Sequence, residues 1–412
     1  MNRFERFSET DLCVKCGLCL PHCPTYGKTL DENESPRGRI ALIQGWAQGS
    51  LEATPELLRH IDNCLLCRSC EAVCPAYVPY GNLVDRFRGE TGDAGKTASV
   101  RLKSAGIRTA LTHKRASRWA ERLVGKSGRL GQGIVRKTGL LKALGLSEFE
   151  AGLPETSTSV RWNGFYPARN ERGRAALFLG CTADLLDAET VSSALLLLNR
   201  LGIGVRVPET QSCCGALHYH AGDPAGAHTL MERNLSAFDP SGVDTVVTIA
   251  SGCGAMLRDY PQLDSTPSAA DFAKTIKDIG QYLAELSWAD DIAFKPLPAK
   301  VCIHTPCTLK NVLRAERHGA GLLRRIPSLD VASLPSAQRC CGAAGSYMLE
   351  HPEMARDLRD DVLEHVASAN PDFLTTSNPG CAVHLRAGLK QKGMGHIEVL
   401  HPVTLLARQL VQ

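Results

Sequence analysis

The sequence predicts an α+β chain of several domains, an α-helical N-terminal module followed by two repeated α/β units. Three observations carry this. Helical start signals and periodicity fill the space between two early cysteine runs. After about residue 172, short apolar runs alternate with helical patterns, and this alternation occurs twice with cysteines at matched intervals. The texture changes set boundaries at 1–90 for the N-terminal module, 91–172 for a basic helical linker, 173–290 for the first cysteine-rich α/β repeat and 291–412 for the second. Of the 412 residues, 43% are hydrophobic and 22% charged, a balance that suits folded domains and excludes a disordered chain.

No run approaches the roughly eighteen apolar residues of a membrane span; the richest, "ALLLL" at Ala194 to Leu198, reads as buried helix. The opening "MNRFERFSET" is charged where a signal peptide needs an apolar run. The expectation is a cytoplasmic chain, or one peripheral on the cytosolic face of a membrane, where thiols stay reduced. Seventeen cysteines then read as a metal inventory before a disulfide framework.

In the N-terminal module, "DLCVKCGLCLPHCP" carries Cys13, Cys16, Cys19 and Cys23, closed by Pro24. The spacing returns in "NCLLCRSCEAVCP" as Cys64, Cys67, Cys70 and Cys74, closed by Pro75. Both match the bacterial ferredoxin run, in which three close thiolates take three corners of a [4Fe-4S] cube and the fourth ligates the other cluster. That crossing assigns Cys13, Cys16, Cys19 and Cys74 to one cluster, and Cys64, Cys67, Cys70 and Cys23 to the other. Zinc needs two cysteine pairs across a longer loop, and disulfides suit neither the spacing nor the compartment. Between the runs, "RGRIALIQGWAQ" and "TPELLRHIDNC" read as helices with Pro or Thr start signals, hence a helical ferredoxin module.

From Ala94 to Ser147 there are thirteen Lys or Arg against one acid, Glu121, so the basic excess of the whole chain is local to this linker. Ala116, Trp119, Ala120 and Leu123 fall at helical spacing, which predicts amphipathic basic helices. Such a face is either solvated and internally paired, or docks on an acidic partner or anionic lipid. Nucleic acid is not expected, because no stacking aromatics interleave the charges.

In the first repeat "RAALFLGC" reads as strand, "DLLDAETVSSALLLLNRLG" as helix, "IGVRVPE" as strand and "VDTVVTIASGC" as strand. The second repeat answers with "AKVCIHTPC", "DVASLP" and "PDFLTTSNPGC", so two mainly parallel sheets are predicted. Cys181 is followed after 32 residues by Cys213 and Cys214, and Cys253 lies 39 beyond; Cys307 is followed after 33 by Cys340 and Cys341, and Cys381 lies 40 beyond. Strand ends gather loops at one sheet edge, which lets each quartet converge as a candidate third and fourth metal site, and each repeat then holds an iron-sulfur cluster, zinc or no metal. Gly215 and Gly342, after each cysteine pair, permit a sharp turn. Cys302 aligns with Ala176 and reads as a buried strand cysteine. His304 is a packed residue or a hydrogen-bond donor to cluster sulfur, and His218 and His220 in "LHYH" are weak ligand candidates.

These motifs together, with "ESPRGRIALI" after the first run, resemble the glycolate oxidase (glycolate dehydrogenase) iron-sulfur subunits, a family within the heterodisulfide reductase-like proteins with duplicated Cys-Cys-Gly domains. The resemblance spans essentially the whole chain. It implies oxidation of glycolate to glyoxylate in a complex with an FAD-containing glycolate dehydrogenase subunit and a second flavoprotein-like subunit, with quinone as acceptor. The family pattern ends each repeat in Cys-x-x-Cys, and here Ala250 and Asn378 stand at the first of those positions. That departure argues against a thiol-disulfide reductase of the heterodisulfide type.

No strand is followed by G-x-G-x-x-G, so a flavin is expected in a partner rather than in this chain. The glycine-rich "GKSGRLGQG" at Gly125 to Gly133 follows a basic helix and is a poor phosphate cradle. Hydrolytic sets are not evident, and no catalytic residue is assigned. An electron-transfer subunit, incompetent alone, is the reading; the same wire would serve lactate or glycerol 3-phosphate oxidation equally.

Overall fold

The structure is a computed structural model that describes residues 2–92, 94, 105–106, 108–109, 112, 147–154, 162–239, 245–289, 291–334 and 340–411. The linker positions Ala116, Trp119, Ala120 and Leu123 and the segment Gly125 to Gly133 lie outside the described residues.

The N-terminal module is helical, with α1 (Pro24–Thr29), α2 (Pro36–Ala47), α3 (Pro55–Asp62) and α4 (Tyr80–Thr91) as its principal helices. Ser35 and Thr54 start α2 and α3: each hydroxyl accepts a first-turn N–H, from Gly38 and Leu57, and each is followed by proline. The apolar faces close on a core of Ile40, Ile43, Leu57, Ile61, Leu83 and Val84. Trp46 packs edge-on between Phe7 and Phe87, its ring centroid 5.4 and 4.8 Å from theirs.

After α5 (Ser147–Gly152), the first repeat runs β1 (Gly164–Tyr166), β2 (Gly173–Phe178), α6 (Ala183–Leu186), α7 (Ala188–Arg200), β3 (Ile203–Val207), α8 (Pro224–Ala237), β4 (Val246–Thr248), α9 (Ser251–Arg258) and β5 (Ile276–Asp278). The second runs β6 (Lys300–Ile303), β7 (Asp330–Ser333), α10 (Pro352–Ala369), β8 (Phe373–Thr375), α11 (Pro379–Gln391), β9 (Glu398–Leu400) and α12 (Pro402–Gln409). The sheet orders are β1-β3-β2-β4-β5 and β7-β6-β8-β9. Apart from antiparallel β1, every pairing is parallel, and β3-β2-β4-β5 repeats as β7-β6-β8-β9.

Three local departures from the sequence reading have physical causes. The helix expected over "DLLDAETVSSALLLLNRLG" breaks at Asp187, whose carboxylate and carbonyl bond Thr190 and start α7 afresh. The strands expected over "VDTVVTIASGC" and "PDFLTTSNPGC" stop at Thr248 and Thr375, so Cys253 and Cys381 enter on helices. At the first of these the Ser251 N–H bonds the Ser377 carbonyl across the repeats instead of extending the sheet. Each repeat also gains a fourth parallel strand, β5 and β9.

The two sheets share one core. Leu197, Leu198, Val205 and Val247 from the first repeat belong to the same apolar cluster as Val301, Leu323, Leu405 and Leu406 from the second. Helix α12 lies across α7, where the Thr190 and Thr404 hydroxyls meet at 2.9 Å and Arg408 bonds Glu189. Lys28 pairs with Asp361 and Arg68 with Asp259, which fastens the helical module to both repeats.

Candidate iron-sulfur centres

Both N-terminal cysteine loops use the same backbone device. Lys15 and Gly17 flank Cys16 with φ of 56° and 83°, and Leu66 and Arg68 flank Cys67 with φ of 50° and 57°. A left-handed residue other than glycine costs about 1–3 kcal/mol, and three are held here by their loops. The reversals gather thiols around two cavities. One is lined by Cys13, Cys16, Cys19 and Cys74; the other by Cys23, Cys64, Cys67 and Cys70. The second thus collects three thiols of one run and the fourth of the other, and the first collects the mirrored set with Cys70 besides. Cys70, Pro36 and Tyr80 border both cavities, so the two adjoin.

The linings fit an iron-sulfur cluster by the chemistry of their donors. Neither contains a carboxylate, and both contain cations, Lys15 and Arg37 at the first, Arg39 and Arg68 at the second. Sulfur ligands are already hydrogen-bonded: the Leu66 N–H and the Tyr80 hydroxyl both donate to Cys64 Sγ at 3.4 Å, and Thr25 Oγ1 stands 3.4 Å from Cys23 Sγ. Burial pushes the Cys67 and Cys70 thiols up. Cys16 is exposed, beside exposed Val14 and Leu18, whereas the four cysteines of the second cavity are all buried. None of the seventeen cysteines is in a disulfide.

In the repeats, Gly215 and Gly342 adopt φ of 94° and 83° directly after their cysteine pairs. The thiols of each quartet are neighbours in space, Cys181, Cys213, Cys214 and Cys253 in the first and Cys307, Cys340, Cys341 and Cys381 in the second. Cys307 and Cys340 Sγ stand 3.9 Å apart. Cys253 and Cys381 lie in the first turns of α9 and α11. Among the described residues, no three His, Cys, Asp or Glu side chains surround one point closely enough to hold a single metal ion.

The other sequence candidates lie away from these quartets or are already engaged. Cys302 sits in β6 and Ala176 in β2, both fully buried in the sheets. His304 is buried, its Nδ1 2.9 Å from Thr376 Oγ1, and burial lowers its pKa to about 4. His218 faces Asp223 and Thr112, and His220 faces Asp85. Asn378 caps α11 by accepting the Gly380 N–H, and its amide reaches Ser251, beside Ala250.

The second quartet abuts the helical module. Cys67 packs with Cys340 in one apolar cluster with Leu65, Tyr347, Ala355 and Leu358, against which Cys307 is partly buried. A π-helical turn, Leu309–Leu313, follows Cys307 and carries Asn311, whose amide donates to the Cys67 carbonyl at 2.7 Å and to Ser69 Oγ at 3.0 Å. The first quartet packs instead among Phe178, Tyr219, Met256 and Tyr260. Asn311 carries no sequence signal, and Arg39 lies within "ESPRGRIALI" with nothing to mark it as buried.

The 4Fe-4S dicluster domain family matches residues 9–78, and the cysteine-rich domain family matches residues 175–258 and 301–386. The probable glycolate oxidase iron-sulfur subunit of Bacillus subtilis is 34% identical over 98% of this chain and 95% of its own. The glycolate oxidase iron-sulfur subunit of Escherichia coli is 31% identical over 94% and 92%. One subunit of the fumarate reductase (CoM/CoB) of Methanothermobacter marburgensis is 25% identical over 96% of this chain and 71% of that one. Agreement of this extent, running through both cavities and both cysteine-rich sheets, makes the chain a member of the glycolate oxidase iron-sulfur subunit family, an electron-transfer protein with two [4Fe-4S] clusters.

Proposed function

We propose that this chain conducts electrons from a flavin in a partner subunit, where glycolate is oxidised to glyoxylate, towards quinone. The cysteines of the first cavity, Cys13, Cys16, Cys19 and Cys74, hold one [4Fe-4S] cluster, and Cys23, Cys64, Cys67 and Cys70 the other. The quartets of the two repeats hold further iron-sulfur centres. When bound, such clusters supply one-electron relay at potentials set by charge, hydrogen bonds and burial. The observation that carries the reading is the apolar cluster shared by Cys67 and Cys340, which joins the buried cavity to the second repeat while exposed Cys16 brings the first cavity to the surface. Glycolate is supported by the two glycolate oxidase subunits to which the chain is similar over nearly its full length.

The thirteen cations between Ala94 and Ser147 support docking on an acidic partner or on anionic lipid at the cytosolic face of the membrane. Among the described residues, no helix is long and apolar enough to cross a membrane.

The test is iron and sulfide analysis of the full chain prepared anaerobically, with Cys67→Ser and Cys16→Ser beside it. Each variant should lose about four irons and four sulfides. Stoichiometric zinc without sulfide in the native chain would contradict the assignment.

A further inference from the structure

Arg37 and Arg39 lie two residues apart at the start of α2, and they line different cavities. Their surroundings differ sharply. Arg37 is part-exposed and takes both Glu32 carboxylate oxygens, at 2.6 and 3.2 Å, on the surface. Arg39 is only 1% exposed. Its Nε–H donates to the His60 carbonyl at 2.7 Å, Nη1 and Nη2 to Thr25 Oγ1 at 3.1 and 3.2 Å, and Nη2 to Glu34 Oε2 at 2.5 Å. Buried Glu34 is held in turn by His60 Nδ1 at 2.7 Å and by the Asn63 amide at 2.6 Å, and Asn63 accepts the Tyr347 hydroxyl at 2.5 Å. Arg39 lines the second cavity and the Glu34 carboxylate does not, although the Glu34 carbonyl stands 3.6 Å from Cys23 Sγ. Burial works against the charge on Arg39, and Tyr80, Cys64, Cys23 and Glu34 around it more than offset that, holding the guanidinium above its usual range.

A cluster bound by four thiolates is anionic, and reduction adds one more negative charge. A cation favours the reduced form, strongly where the medium is apolar and weakly where water and a surface carboxylate screen it. We propose that Arg39 sets the reduction potential of the cluster at Cys23, Cys64, Cys67 and Cys70 and raises it above that of the cluster at the first cavity. Glu34, His60, Thr25 and Asn63 act as positioning residues that hold this cation against the cavity. The surface cluster is thereby the lower-potential member of the pair and the buried one, against the second repeat, the higher. This rests on the ligand assignment above.

The test is potentiometric titration of the full chain followed by electron paramagnetic resonance. Arg39→Gln should lower one midpoint by at least about 59 mV, a tenfold change in the equilibrium constant of a one-electron couple, and leave the other where it was. Arg39→Lys, which keeps the charge, should recover most of the shift. Glu34→Gln, which removes the opposing charge, should move the same midpoint upwards, and Arg37→Gln should move the other midpoint by much less. A titration in which Arg39→Gln and Arg39→Lys shift alike, or in which neither shifts while both clusters are present, overturns the proposal. So does loss of the cluster in all three variants of Arg39 and Glu34, which would make the network an assembly device. Failure of the ligand assignment shows separately, as an undiminished cluster content in Cys67→Ser.

Discussion

At the scale of single residues, the two Cys-Cys-Gly turns show how one motif acquires two different tolerances. A Cβ on Gly215 would stand 3.3 Å from the Ala227 carbonyl oxygen, whereas a Cβ on Gly342 would stand 2.5 Å from that of Ala355. Both also need a left-handed φ that side chains resist. Gly342→Ala should therefore cost on the order of 3 kcal/mol, and Gly215→Ala on the order of 1–2 kcal/mol. Thermal melting of the two variants should separate by several degrees in that order; equal melting points would mean that the second turn relaxes freely. The cysteines themselves were legible residue by residue, because a spacing that brings thiols together leaves a pattern of its own. Arg39 was not. Its burial depends on Thr25, Glu34 and the His60 carbonyl, drawn from three separate stretches, and no local window shows a charge being satisfied at a distance.

At the scale of elements, capped helices were readable and the strands β5 and β9 were not. Ser35-Pro36 and Thr54-Pro55 announce α2 and α3 in the sequence because capping is a local hydrogen bond. Strands β5 and β9 are three residues each and exist because β4 and β8 offer them parallel neighbours. The helix after β5 starts at Asp278, whose Oδ1 accepts the Gly280 N–H at 2.8 Å while Oδ2 meets no donor among the described residues. Burial pushes its carboxyl up to about 6, against hydrogen bonds from Gly280 and Gln281. In the unfolded chain it titrates near about 3.9. Below that pH both states are protonated and stability is full; as pH rises from about 4 to 6 the unfolded chain ionises first and stability is lost. Asp278→Asn keeps the cap without the charge, so it should stabilise the protein at about pH 7.5 by on the order of 2 kcal/mol, with the gain vanishing near about pH 4. Melting curves at the two pH values check this, and a variant weaker at both would contradict it.

At the scale of the whole molecule, the duplication that sequence spacing displays becomes a single body through contacts it does not display. The strand-end placement of both quartets followed from the alternation of apolar runs. The shared core of the two sheets, the crossing of α12 onto α7 and the seating of Asn311 on the Cys67 loop are long-range and had no sequence signal. Together they order the cysteine sites: an exposed cavity, a buried cavity beside it, and the second quartet against the buried one. Conduction through that junction is tested most directly by electron paramagnetic resonance of the reduced native complex with and without Cys340→Ser, alongside its quinone reduction with glycolate. The expected result is loss of one centre, a changed signal from the cluster beside Cys67, and quinone reduction abolished while the partner flavin is still reduced by glycolate. Identical spectra and identical quinone reduction in both proteins would contradict it, and would leave the second quartet a structural feature outside the wire.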